Sequence, residues 1–149
     1  MSIINIMMGD LKFARKGDIL TTFVGSCIAC CIYNYDEAAM AHIMLPYSKG
    51  RTNSLKGKYA DQAIEHILNR LEGNLKAKLA GGAKIFVQEQ DNDIFNIGHN
   101  NIIAVKDILK TTGINIDGED LGKNYSRNVS FEVNTSKMII KCRSGTVII

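Results

Sequence analysis

Short strand-like runs at both ends of the chain, with two helix-like segments between them, constrain its fold more than any other feature. The runs are β-branched, aromatic or otherwise apolar, and several stop at glycine, aspartate or asparagine, as strands do where they enter turns. They cover residues 3–8, 11–14, 19–23, 27–35 and 38–45, and return at 114–116, 128–133, 138–142 and 146–149. This order predicts a mixed, largely antiparallel sheet rather than repeated βαβ units.

The middle of the chain repeats apolar residues at helical spacing. Residues 59–73 predict an amphipathic helix that ends at Gly73, and residues 101–111 predict a second helix with an asparagine N-cap and Gly113 as its stop. Residues 75–87 predict a bent strand or strand pair broken at Gly81 and Gly82, followed by a polar loop over 88–96. We therefore expect one domain over 1–149, of the α/β (α+β) class, built as a layered α/β sandwich with two main helices.

Composition removes several classes of protein. Hydrophobic residues make up 46% and charged residues 22% of the 149, which is ordinary for a globular domain. The formal charge is only +3 and the basic residues are scattered, so we expect no nucleic-acid partner. The longest apolar run, residues 27–33, is far shorter than the roughly 20 residues of a membrane helix. With no basic leader at the N-terminus, we expect a cytoplasmic protein with free thiols and no membrane insertion.

The most reactive combination of residues is a cysteine after a glycine and a serine, with a histidine downstream. If residues 27–34 and 37–45 form a hairpin across a two-residue loop, Asn34 faces Glu37 and paired residue numbers sum to 71. Cys27 then lies opposite Met44, and His42 is its diagonal neighbour on the same face of the sheet. An imidazole at that position can activate a thiol, and the simplest expectation is a thiolate paired with an imidazolium.

Gly25 and Ser26 leave the approach to Cys27 small and flexible. Backbone N–H groups near Ser26 and Cys27 are then free to stabilise an oxyanion. The same residues also fit a plain interpretation, in which Cys27 is a buried core cysteine and His42 a core histidine whose hydrogen bonds are satisfied.

Cys27 and Cys30 also form a C-x-x-C motif, which raises redox and metal-binding alternatives. In an extended strand these two side chains point to opposite faces, which suits neither a disulfide nor a shared metal. A zinc site usually has a second pair of closely spaced ligands, but the remaining cysteine outside this segment, Cys142, has no cysteine near it in the sequence.

Around these residues the sequence resembles the CheD family of chemoreceptor glutamine deamidases. The shared motifs occur in the same order over nearly the whole chain: residues 25–27 (Gly-Ser-Cys), 40–46 (Met-Ala-His-Ile-Met-Leu-Pro), 58–63 (Lys-Tyr-Ala-Asp-Gln-Ala), 79–83 (Leu-Ala-Gly-Gly-Ala), 97–101 (Ile-Gly-His-Asn-Asn) and 120–122 (Asp-Leu-Gly).

The resemblance implies a cytoplasmic enzyme that hydrolyses particular receptor glutamines to glutamate, releases ammonia and uses no metal or organic cofactor. It assigns Cys27 as nucleophile, His42 as general base and acid, and Thr21 as the third member, through a cysteine thioester. It also implies chemoreceptors as substrates and a CheC-type phosphatase as a partner. A non-catalytic docking module that binds CheC or receptors is the alternative.

For the substrate, we expect contacts at Gly25, Ser26, Gly81 and Gly82. The sequence departs from the family pattern at three positions: Asn100 stands where arginine is usual, and Lys123 and Ser126 stand where glycines are usual. These departures affect the expected partner surface rather than the three catalytic candidates.

Overall fold

The computed structural model describes residues 1–51, 54–85 and 96–149. Its ten strands, in chain order, are β1 (Ile3–Asn5), β2 (Leu11–Arg15), β3 (Ile19–Val24), β4 (Ile28–Tyr33), β5 (Glu37–Ile43), β6 (Lys76–Gly81), β7 (Asn115–Leu121), β8 (Arg127–Glu132), β9 (Lys137–Cys142) and β10 (Gly145–Ile148). The two helices are α1 (Ala60–Leu68) and α2 (Ile97–Thr111).

The strands form two five-stranded sheets. The order in one is β1-β3-β8-β9-β10, here called the outer sheet, and in the other β2-β5-β4-β6-β7, here called the central sheet. Within the described part of the chain, only the pairs β1–β3 and β6–β7 are parallel. The predicted α+β class, with a mixed and largely antiparallel sheet arrangement, is therefore confirmed.

The central sheet is covered on both faces. One of its faces packs against both helices, through a cluster that includes Ile28, Cys30 and Ile32 of β4. The other packs against the outer sheet, through a cluster that includes Ala29, Cys31 and Tyr33. Every residue of β4 is buried, since alternate side chains enter different cores. The layers run helices, central sheet, outer sheet.

The predicted hairpin has the predicted register. Ile28 pairs with Ile43 and Ala29 with His42, and the Asn34 N–H donates to the Glu37 carbonyl over 3.0 Å. Asn34 Oδ1 also accepts from the N–H groups of Asp36 and Glu37, which explains why the turn is so tight. This register fixes which side chains of β5 share a face with those that start β4.

Helix boundaries were predicted less well. α1 ends at Leu68 rather than at 73, while α2 begins at Ile97, four residues before the predicted start. Asn96 is the N-cap, and its side chain accepts from the His99 N–H. The loop expected over 88–96 lies outside the described residues except for Asn96.

None of the helices in the described ranges is long and apolar enough to cross a membrane.

Candidate active site between the two sheets

His42 lies on the face of β5 that looks towards the outer sheet, and it is only 3% exposed. Its Nδ1 is 2.8 Å from the hydroxyl oxygen of Thr22, which is also buried. The same hydroxyl is 2.8 Å from the carbonyl oxygen of Ile6, to which it donates. A histidine, a threonine and a backbone carbonyl thus form a short buried chain of hydrogen bonds.

This chain of hydrogen bonds fixes the tautomer of His42. A carbonyl can only accept, so the single hydroxyl proton of Thr22 is used on Ile6. Towards His42 the hydroxyl oxygen must therefore accept, which places the ring proton on Nδ1. Nε2 is left with a free lone pair, and no group among the described residues hydrogen-bonds to it. A histidine held in this way can take a proton through Nε2.

Thr22, and not Thr21, makes this contact. Thr21 lies on the opposite face of β3, where its hydroxyl donates to the Val129 carbonyl over 3.0 Å. Its backbone carbonyl accepts from the Ile6 N–H, so neither group of Thr21 reaches His42. The reason is strand alternation: Leu20, Thr22 and Val24 are buried towards the central sheet. Thr21, which the resemblance assigns as the third member, therefore makes no hydrogen bond to His42 in this structure.

Cys27 immediately precedes β4 on the same side of the central sheet as His42, and packs against the cluster between the sheets. It is partly exposed, unlike Cys30 and Cys31, which are fully buried. Cys30 belongs to the cluster under the helices, so Cys27 and Cys30 lie on opposite faces as the sequence predicted. Burial raises the pKa of the Cys27 thiol and lowers the pKa of His42.

These two shifts correct the expected charge state. A raised thiol pKa and a lowered imidazole pKa both favour the neutral forms, so burial in the free protein favours a thiol and an imidazole over the expected ion pair.

The loop of Gly25, Ser26 and Cys27, here called the GSC loop, is held by its carbonyl groups. The Gly25 carbonyl accepts from Ala83 N–H over 3.0 Å and the Cys27 carbonyl from Gly82 N–H over 2.9 Å. The Ser26 carbonyl accepts from the side chain of Asn101. Among the described residues, the N–H groups of Ser26 and Cys27 have no acceptor. Two adjacent free N–H groups beside a thiol are what an oxyanion requires.

Gly81 and Gly82, where substrate contacts were predicted, are buried behind the GSC loop. Both are buried and both have positive φ angles, +119° and +67°. A Cβ on Gly81 would collide with the Cys27 carbonyl, and one on Gly82 would come within 2.5 Å of Ile102. Their lack of a side chain lets β6 and α2 approach the loop. The structure therefore places them as support for the loop, while Gly25 and Ser26 remain partly exposed on it.

Two of the three residues at which the sequence departs from the family pattern, Lys123 and Ser126, lie near this end of the molecule. Lys123 has a φ of +63°, a left-handed conformation in which the usual glycine is unstrained. Its carbonyl accepts from the Lys84 N–H, and Ser126 Oγ is among the atoms nearest to Gly25.

Sequence reasoning missed two residues of this site, Thr22 and Asn101. The sequence does not indicate which face of β3 is buried, because the alternating sets Ile19-Thr21-Phe23 and Leu20-Thr22-Val24 are equally apolar. Asn101 was predicted only as a residue of the 97–101 motif and a possible cap of the second helix, yet it is fully buried inside that helix. A polar residue among Ile102, Ala104 and Val105 was the available signal.

The fold and the site together define a layered α+β protein with a buried histidine and a partly exposed cysteine at one end of its two sheets. Residues 44–142 match the family model described as CheD chemotactic sensory transduction. The chain belongs to the CheD family.

Full-length relatives agree with this assignment. A probable chemoreceptor glutamine deamidase CheD from Caldanaerobacter subterraneus subsp. tengcongensis is 41% identical, over 93% of this chain and 92% of the relative. The chemoreceptor glutamine deamidase CheD of Thermotoga maritima is 39% identical, over 88% and 85%. That of Bacillus licheniformis is 34% identical, over 94% and 90%.

Proposed function

We propose that this protein is a cytoplasmic protein-glutamine deamidase that acts on chemoreceptors, with Cys27 as nucleophile and His42 as base and acid. The observation that carries the proposal is the buried hydrogen-bond chain from Ile6 through Thr22 to His42, which leaves Nε2 unprotonated on the face shared with Cys27. The names of the relatives supply the substrate, a glutamine side chain of a chemoreceptor.

In the first step, the Cys27 thiol gives its proton to His42 Nε2 as sulfur bonds to the carboxamide carbon. The carbonyl oxygen becomes negative and is stabilised by the N–H groups of Ser26 and Cys27. In the free protein, the Cys27 thiol makes no hydrogen bond to His42 Nε2. Catalytic hydrogen bonds are often absent or long before substrate binds. The proton now on Nε2 is next to the leaving nitrogen.

In the second step, the carbon–nitrogen bond breaks and His42 gives its proton to the nitrogen, so that ammonia leaves and a thioester remains. Neutral His42 then takes a proton from water, whose oxygen attacks the thioester carbonyl. Sulfur leaves, recovers the proton and returns as the thiol, and the side chain is now a glutamate. Thr22 accepts from Nδ1 throughout and takes the role of third member that the family resemblance gave to Thr21.

The test combines purified receptor cytoplasmic fragments with the protein and measures ammonia release, with conversion of glutamine to glutamate located by mass spectrometry. The wild type should convert specific glutamines and Cys27→Ala should convert none. Cys142→Ser is the matched control, because Cys142 is a partly exposed thiol on β9 outside the site, and it should retain full activity.

A different result would favour the docking module. If wild type and Cys27→Ala were equally inert on every receptor fragment while both bound a CheC-type phosphatase or a receptor, the chain would act by binding alone.

A further inference from the structure

Asn101 is a buried amide that contacts two separate parts of the proposed site. It lies on α2 with no exposed surface, and its Nδ2 donates to the carbonyls of Ser26, over 3.2 Å, and Met44, over 3.0 Å. Two carbonyl acceptors on one side of the amide require the NH₂ group there, which fixes its orientation. Both amide hydrogens are therefore used within the fold.

Three hydrogen bonds hold the carbonyls of the GSC loop, and the one from Asn101 is the only one of these three that comes from a side chain. The carbonyls of Gly25 and Cys27 are held by backbone N–H groups of Ala83 and Gly82, whereas that of Ser26 is held by Asn101. Without Asn101, the described structure offers the Ser26 carbonyl no other donor. The peptide between Ser26 and Cys27 would then be free to rotate.

That peptide carries the Cys27 N–H, one of the two proposed oxyanion donors. A trans peptide is planar, and its C=O and N–H point in opposite directions. The chain has no cis peptide bond in its described residues, so holding the Ser26 carbonyl towards α2 aims the Cys27 N–H away from α2.

We propose that Asn101 is a positioning residue that orients the Cys27 N–H for the oxyanion. Its second hydrogen bond, to the carbonyl of Met44, links the Ser26–Cys27 peptide to the chain just after β5, two residues beyond His42. The inference rests on the proposed function, because an oxyanion forms only if the carboxamide is attacked by the thiol. Asn101 itself touches no reacting atom.

The test compares two reactions of the same thiol in Asn101→Leu, which keeps the volume of the side chain and removes its donors. Deamidation develops an oxyanion, whereas alkylation by iodoacetamide displaces iodide at a saturated carbon and develops none there. Loss of an oriented donor typically lowers kcat by 10²–10³-fold. For Asn101→Leu we expect kcat for deamidation to fall by about 100-fold, with KM nearly unchanged. The rate of Cys27 alkylation should stay within about twofold of the wild-type rate at every pH.

Two further variants separate positioning from general damage to α2. Asn101→Ala tests the same loss with a smaller side chain, and thermal melts identify whichever variant is folded. Asn96→Ala removes the N-cap of α2 without touching the GSC loop, so it should lower the melting temperature and leave kcat unchanged.

The proposal is overturned if folded Asn101 variants keep their kcat, if alkylation and deamidation fall in parallel, or if Asn96→Ala loses as much activity. Failure of the proposed function has a different signature, since the wild type and Cys27→Ala would then be equally inert.

Discussion

At the scale of single residues, the site depends on one hydroxyl proton. Thr22 has one proton to donate and two neighbours that could receive it, and the Ile6 carbonyl takes it because it cannot donate. The state of His42 is thereby determined by a backbone group from the first strand region. The neutral thiol and imidazole follow from burial alone.

Adjacent threonines provide a matched test of this hydrogen bond. Thr22→Val keeps the shape and removes the acceptor for Nδ1, so His42 no longer has a fixed tautomer. We expect kcat/KM to fall on the order of 100-fold, within the usual contribution of general acid–base catalysis. Thr21→Val should stay within about twofold of the wild type, and Thr22→Ser should recover most of the activity.

Nitrogen NMR of His42 checks the cause directly. The wild type should show a proton on Nδ1 and none on Nε2, and Thr22→Val should show a mixture. An impaired Thr21→Val beside a normal Thr22→Val would return the third role to Thr21.

The pH dependence follows from the neutral pair. His42 works as a base only when unprotonated, and burial lowers its pKa, so the acid limb of kcat/KM should have a midpoint below about 6.5. The rate of Cys27 alkylation in the free protein should rise with an apparent pKa above that of an ordinary cysteine, since burial raises the thiol pKa. Rapid alkylation at pH 6 would instead indicate a resting ion pair.

At the scale of elements, local signals predicted some boundaries and tertiary contacts decided others. The β4–β5 hairpin was predictable because its turn residues and two apolar runs act within one short stretch. The start of α2 was not, because Gly98 and the asparagines around it disfavour a helix. Gly98 is required by packing: a Cβ there would lie 2.5 Å from the carbonyls of Gly82 and Ala83.

Gly98→Ala should therefore have the opposite sign from an ordinary glycine in a helix. At an open position the change stabilises by about 0.5–1 kcal/mol, whereas here we expect a loss of about 1–3 kcal/mol, because α2 must move away from β6. Urea denaturation measures the difference. Lys110→Ala, at an exposed position of the same helix, should be near neutral. A stabilised Gly98→Ala would mean that α2 has room to shift.

At the scale of the whole molecule, an ion pair between a buried arginine and a partly buried aspartate joins the two sheets at the end that carries the GSC loop. Arg127 of β8 is fully buried, and its Nε donates to Asp120 of β7 over 3.0 Å. Its Nη1 also reaches the Gly81 carbonyl, at 3.4 Å. In the register of the outer sheet, Arg127 pairs with Val24, the residue before the loop.

Removing the carboxylate should cost far more than removing an exposed one. Asp120→Asn leaves a buried guanidinium without its counter-charge, and we expect a loss of about 3–5 kcal/mol in the free energy of unfolding. Glu119→Gln breaks the exposed pair with Lys106 and should cost less than about 1 kcal/mol. Equal losses in urea denaturation would show that Asp120 is not needed to neutralise Arg127. Adding Arg127→Met to Asp120→Asn should recover part of the loss.

Because the chain is synthesised from its N-terminus, the hydrogen bond from Asn101 to the Ser26 carbonyl can form only late in synthesis. Thr22, Cys27 and His42 are all translated early, and strands joined by a short turn pair quickly. Asn101 lies 75 residues beyond Ser26 and reaches it only after β6 and α2 exist. In the proposed role of Asn101, a chain that ends before α2 can pair β4 with β5 but has no side chain to orient the Cys27 N–H, so the proposed oxyanion donor is fixed only once α2 has folded.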